Sequence, residues 1–164
     1  MARPNKTLLP VASIAIILLL GVYHALGDGG THLVMQVFDG DTILLDDHRK
    51  IRLMGVDAPE VQSPYRDEEP CGQESKAYLT SLILNKKVTL TIGDPPKDKY
   101  GRTLAYVTLG DVLVNGRIIR DGWARAYRQF YHPWRDLFMV YEREARSKGL
   151  GVWSLKHEAT HTGS

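Results

Sequence analysis

The pattern of apolar and polar positions divides the chain into an apolar leader and a mixed body. Residues 7–27 contain no Asp, Glu, Lys or Arg, and the eight residues 14–21 offer no polar face. Nineteen helical residues over 8–26 rise roughly 28 Å at about 1.5 Å each, close to a bilayer hydrocarbon core of about 30 Å. An N-terminal hydrophobic helix is therefore expected within residues 1–27. Arg3 and Lys6 precede it, and a basic flank stays in the cytoplasm. Two readings follow: an uncleaved membrane anchor with the domain outside, or a signal peptide cut near the small-residue end Ala25-Leu26-Gly27. Both export the rest of the chain. A soluble-core helix is the third reading, opposed by the missing polar face and the position at the N-terminus.

After a linker-like Asp28-Gly29-Gly30 the pattern turns to short strands. Residues 31–38 are extended and Val-rich, Asp39-Gly40 signals a turn, and 42–45 and 50–56 complete a three-stranded meander through Asp46-Asp47-His48. Residues 58–70 form a loop with Pro59, Pro64, Pro70 and the charged run Arg66-Asp67-Glu68-Glu69. Ala77, Tyr78, Leu82 and Leu84 give 73–85 an apolar face at helical spacing. Then come a strand at 88–92, a loop at 93–100 stiffened by Pro95-Pro96, a strand at 103–109, a short helix at 114–121 ending near Gly122, and a strand at 123–127. Pro133 opens a last helix, with Leu137, Tyr141 and Ala145 on one face and Gly149 as its stop. This order predicts a mainly-β α+β fold: a five-stranded barrel of the oligonucleotide-binding (OB) type with about three helices. It spans residues 28–156 and leaves a polar tail at 157–164.

A chain of 164 residues suits one such domain. Arg3 and Lys6 are two of its 21 basic side chains, so the remainder carries 19 basic and 19 acidic groups. A neutral body excludes nucleic-acid binding by bulk charge, and any such case must rest on local residues. The single cysteine, Cys71, allows no intramolecular disulfide and reads as a small inert thiol. The six His residues are scattered without zinc spacing.

Four short motifs carry candidate chemistry: Asp39-Gly40-Asp41-Thr42, the run Arg52-Leu53-Met54-Gly55-Val56-Asp57-Ala58-Pro59-Glu60, the run Asp98-Lys99-Tyr100-Gly101-Arg102 leading into Thr103-Leu104-Ala105-Tyr106, and Gly151-Val152-Trp153-Ser154. Singly, each has a plain structural reading. The first is a carboxylate-rich turn, and the third a solvated loop. The fourth is a core-capping Trp. Arg52, between apolar neighbours, needs a buried partner.

Together, in this order and with nine residues between the first two, the motifs resemble the staphylococcal nuclease family over about residues 31–154. That resemblance implies an OB-type barrel and a calcium-dependent, sugar-non-specific endonuclease that hydrolyses DNA and RNA to 3′-phosphate products outside the cytoplasm, acting as a monomer. It makes Asp41 and Asp57 carboxylate ligands of Ca²⁺, with the backbone carbonyl of Ala58 as a third. Arg52 and Arg102 would grip the phosphate and Glu60 would act on the attacking water. Lys99, Tyr100 and Tyr127 would contact the nucleotide. The chain departs from the family in three places. Ala58 stands where the family usually has Thr, Asp67-Glu68-Glu69 replaces a Lys-rich loop, and the spacing from Gly122 to Tyr127 differs. A non-catalytic oligonucleotide-binding module and a membrane-anchored scaffold are the competing classes. Neither needs Asp41, Arg52, Asp57, Glu60 and Arg102 together.

Overall fold

The computed structural model describes residues 27–65 and 67–154. The hydrophobic leader and the polar tail lie outside these residues. Among the described residues no helix is long and apolar enough to cross a membrane.

Five strands close into a barrel. β1 (Gly27–Val37), β2 (Thr42–Leu45) and β3 (Lys50–Leu53) form the expected antiparallel meander. After α1 (Gly72–Ile83), β5 (Lys87–Lys97) pairs antiparallel with β1 and with β6 (Thr103–Leu109). β6 then pairs parallel with β3, which closes the ring. β7 (Val112–Leu113) extends the β6 edge, and β4 (Val56–Asp57) pairs with β8 (Arg125–Ala126) as a separate ribbon. α2 (Val114–Arg120), α3 (Arg135–Ser147) and a 3₁₀ turn at Gly151–Trp153 are the remaining elements among the described residues. This is an OB-like α+β architecture with three helices among the described residues.

Alternation places Ile43, Leu45, Ile51, Leu53, Val88 and Leu90 inside the barrel, each at most 1% exposed. Burying each such side chain contributes about 1.5–3 kcal/mol relative to leaving it in water. β6 is buried along its middle on both faces. The barrel interior covers one side and α2 packs on the other.

The structure corrects several expected elements. The supposed linker at 28–30 belongs to β1, which starts at Gly27 opposite Thr91. The strand expected over 50–56 breaks at Gly55, whose φ of +78° turns the chain out of the barrel into β4. A side chain at Gly55 would also overlap the buried His132 ring. The loop expected over 93–100 is partly strand. Five steps along β5 from Ile92 to Lys97 face two along β6 from Ala105 to Thr103, so Pro95 and Pro96 sit in a bulge. A bulge tolerates prolines because it asks no ladder hydrogen bond of them.

α1 buries Ser75, Leu79 and Ile83 rather than the predicted face, and Ala77 is exposed. The phase was hidden because Ser75 is polar; its hydroxyl donates to the Trp123 carbonyl at 2.7 Å. α3 likewise turns Phe138, Glu142 and Ala145 inward and leaves Leu137 and Tyr141 half-buried.

Asn115 at the start of α2 ties these layers together. It is fully buried, accepts from Val107 N–H at 2.8 Å, and donates to the carbonyls of Met54 (2.9 Å) and Ala105 (3.1 Å). Asn115→Ala strands the Val107 N–H and the Met54 carbonyl in the interior, at roughly 1–3 kcal/mol each. Chemical denaturation should therefore show a loss of several kcal/mol; an unchanged midpoint would disprove this bracing role.

Candidate active site

The tight turn Asp39-Gly40-Asp41 hands the chain from β1 to β2. Asp39 closes it by accepting the Asp41 N–H at 2.9 Å. Gly40 is required for close approach, since a Cβ there would overlap the Ser75 hydroxyl and the Ala58 methyl. The turn delivers the Asp41 carboxylate into the protein at 8% side-chain exposure.

Thr42 opposes Arg52 in the β2–β3 ladder, so Asp41 lies beside the Arg52 side chain. Arg52 Nη1 stands 2.7 Å from Asp41 Oδ2, and that same oxygen accepts the Ala58 N–H at 3.0 Å. This is the buried partner that Arg52 requires. Its other terminal nitrogen, Nη2, is 4.0 Å from Asp57 Oδ1, which is half exposed. Asp41, Arg52, Asp57 and Ala58 therefore form one cluster. Burial pushes the Asp41 carboxyl up to about 7, with Asp39 adding to the rise and Arg52 opposing it.

The second arginine arrives from the barrel closure. Arg102 immediately precedes β6 in a turn organised by Asp98, whose Oδ1 accepts the Tyr100 and Arg102 N–H groups at 2.9 and 3.0 Å. Its Oδ2 accepts from Arg102 Nε at 2.7 Å. Burial would raise the Asp98 carboxyl, but the Arg102 side-chain bond and these backbone bonds outweigh it and hold it below the usual carboxylate range. Arg102 Nη1 donates to the Thr42 hydroxyl at 3.3 Å, and that hydroxyl donates to Asp41 Oδ1 at 3.0 Å. Arg52, Asp41, Thr42 and Arg102 thus form one continuous chain of polar contacts. Anchoring uses Nε and one N–H of Nη1, leaving further N–H groups of a planar fork for an anion.

Both arginines line an open cleft of about 550 Å³ with Asp57, Glu60, Lys99, Tyr100 and Tyr127. Seven of the nine predicted site residues meet there, while Asp41 is buried against Arg52 and Ala58 is buried with its N–H on Asp41. Glu60 is fixed through its backbone. Its carbonyl accepts the Glu69 N–H at 2.9 Å, and its own N–H points to Glu69 Oε2 at 3.4 Å. Lys99 Nζ lies 5.0 Å from the ring centre of the exposed Tyr100, and Arg102 lies 5.6 Å from it. Tyr127 packs on Phe130 with ring centres 5.0 Å apart and donates its hydroxyl to Gln129 at 2.7 Å.

Sequence reasoning missed Thr42, Asp98 and Glu69 as site-building residues. Thr42 lay inside a recognised motif, and Asp98 stands four residues before Arg102, a spacing that allows an ion pair. Glu69 left no local signal, because only the folded loop returns it to Glu60.

The donor set around Asp41 and Asp57 is all oxygen, which suits a hard cation such as calcium. Burial raises the Asp41 carboxyl even with Arg52 beside it, so a dication placed there would favour its ionised form. Among the described residues no group of three or more His, Cys, Asp or Glu side chains is gathered for a metal. An ion here would rest on two carboxylates, main-chain oxygen and water.

Comparison with known proteins agrees with this geometry. Residues 50–155 match the family model described as staphylococcal nuclease homologue. A thermonuclease of Staphylococcus intermedius is 40% identical over 131 residues, covering 76% of this chain and 77% of that protein. A thermonuclease of Staphylococcus hyicus is 36% identical over 130 residues, covering 76% of each. Endonuclease YncB of Bacillus subtilis is 34% identical over 137 residues, covering 78% of this chain and 64% of its own length.

Proposed function

Because the chain belongs to the staphylococcal nuclease family, and is thus a nuclease with nucleic acid as its substrate, we propose that it is a calcium-dependent, sugar-non-specific endonuclease leaving 3′-phosphate ends. The observation that carries this reading is the convergence of Arg52, Arg102 and Glu60 on one cleft, with both guanidinium groups linked through Asp41 and Thr42.

Arg52 and Arg102 bind the phosphoryl oxygens and offset the charge that builds on them as water attacks. Glu60 orients that water and takes its proton. The new bond joins water oxygen to phosphorus, and the bond to the 5′ oxygen breaks. That oxygen gains a proton from solvent, and the phosphate stays on the 3′ side. Lys99, Tyr100 and Tyr127 hold the adjoining nucleotide by charge and ring contact, which reads no base and so admits both DNA and RNA, preferably single-stranded. Asp41, Asp57 and the Ala58 carbonyl would hold calcium, which when bound supplies positive charge to a phosphoryl oxygen. We further propose that the protein acts as a monomer outside the cytoplasm, anchored by the leader or released from it.

Digestion of single-stranded DNA and RNA with calcium or a chelator tests the reading. Cleavage should require calcium, and its ends should resist polymerase extension until a phosphatase removes the 3′ phosphate. Failure of the folded, calcium-loaded protein to cut either polymer would leave an oligonucleotide-binding module.

Asp41 adds a pH signature. Its folded carboxyl lies near 7 against an unperturbed 3.8, so the folded state holds the proton more tightly. That contribution to stability is complete below the unfolded value and is lost as pH rises through the folded one. Calcium needs the ionised form and competes with the proton. The rise in melting temperature given by millimolar calcium should therefore grow from pH 5.5 to about pH 8. A calcium effect flat across that range would remove Asp41 from the site.

A further inference from the structure

Beside the cleft lies a second groove of about 470 Å³, lined by Asp57, Arg125, Tyr127, Arg128, Arg146 and Trp153 among others. Asp57 and Tyr127 line both, so the two adjoin. We propose that this groove is a track for the polynucleotide strand running past the scissile phosphate, with Arg125, Arg128 and Arg146 as its phosphate contacts. The inference rests on the nuclease reading and adds where a long substrate lies.

Charge is the first ground. The body is neutral overall, yet three guanidinium groups gather on this groove. Its two carboxylates offset only part of that charge. Asp57 belongs to the catalytic cluster, and Glu142 is buried beneath Arg128, which it meets at 2.6 Å with 4% side-chain exposure. Arg128 itself stays half exposed.

The second ground is how the arginines are held. Arg125 and Arg146 lie 5.5 and 4.5 Å from the Trp153 ring centre. Stacking on an indole fixes a guanidinium group and leaves its in-plane N–H donors for a phosphate. Arg128 is fixed instead by its ion pair with the buried Glu142. A row of pre-positioned arginines at the mouth of a phosphodiester-cleaving cleft has polyanion chemistry, and the anion that already enters the cleft is the substrate strand.

The test compares long and short ligands on Arg125→Gln/Arg146→Gln; Arg128 is kept so that Glu142 retains its partner. Anisotropy of a labelled single-stranded oligothymidylate, measured in chelator across a salt series, reports the track. Hydrolysis of an aryl phosphodiester of one nucleotide, measured in calcium, reports the catalytic centre. Loss of two contacts should weaken oligonucleotide binding roughly 10–30-fold at about 0.1 M salt and reduce the salt slope by about 1.4. Hydrolysis of the aryl diester should be retained. Arg125→Lys/Arg146→Lys should restore the slope, because charge rather than packing sets it.

Unchanged oligonucleotide affinity and slope would overturn the track. An equal loss on both substrates would also overturn it, because the arginines would then act by positioning Asp57 across the β4–β8 pair. A parent protein that binds the oligonucleotide but leaves the aryl diester intact would sink the nuclease reading instead, and the salt series would still decide the track.

Discussion

Arg52→Ala should lose turnover and fold stability together. Arg52 is 16% exposed and supplies the close cation for Asp41, whose side chain is 8% exposed. Removing one member of a buried pair costs about 3–5 kcal/mol, because the other charge is left in a poor medium. Asp41 can relieve part of that cost by taking up a proton, since burial already holds its carboxyl high and Arg52 is what opposes the rise. The low end of the range is therefore expected, a fall in melting temperature on the order of 10 °C for a domain of this size. Asp41→Asn/Arg52→Ala separates the two losses. With no buried charge left, it should recover much of the stability while remaining inactive. If Arg52→Ala melts with the parent, the ion pair is not what stabilises this corner of the barrel.

Arg102→Ala should behave differently, although its chemistry is the same. Its partner Asp98 keeps two backbone N–H bonds from the turn it organises, so no buried charge is stranded. A stability change of at most about 1.5 kcal/mol is expected for one charge-assisted bond in a partly exposed site. The rate should fall by about 10²–10³, or about 3–4 kcal/mol of transition-state stabilisation, as for a typical oxyanion donor. The loss should lie mainly in kcat, because the guanidinium serves the charge that develops during attack. Arg102→Lys keeps the charge without the fork and should recover only part of the rate. Steady-state kinetics beside a thermal melt check this. Near-parent turnover would remove Arg102 from the catalytic set, and a collapse in stability would mean that the Asp98 turn depends on it.

Strand positions were legible in the sequence because strand-forming runs and turn signals are local. Thr42–Leu45 and Thr103–Leu109 form where their patterns place them, while the strand begun at Lys50 stops at Leu53. The motif residues were legible too, since type, order and spacing identify them before any fold is known. Less legible were elements where a polar residue turns inward. Ser75 and Glu142 sit on buried helix faces because Trp123 and Arg128 meet them there, and neither partner is near in sequence.

The sequence by itself determined which residues could do the chemistry and where most of the strands run. It also required that Arg52 have a partner. Only the tertiary structure decided that the partner is Asp41, through the register setting Thr42 opposite Arg52. Only the parallel closure of β3 on β6 brings Arg102 to Thr42, sixty positions away. The arginines around Trp153 likewise come from separate parts of the chain. The reason is physical. Backbone geometry writes side-chain direction locally, residue by residue. The meeting of distant side chains depends on which loops close and which surfaces bury, and those terms are settled by the whole chain at once.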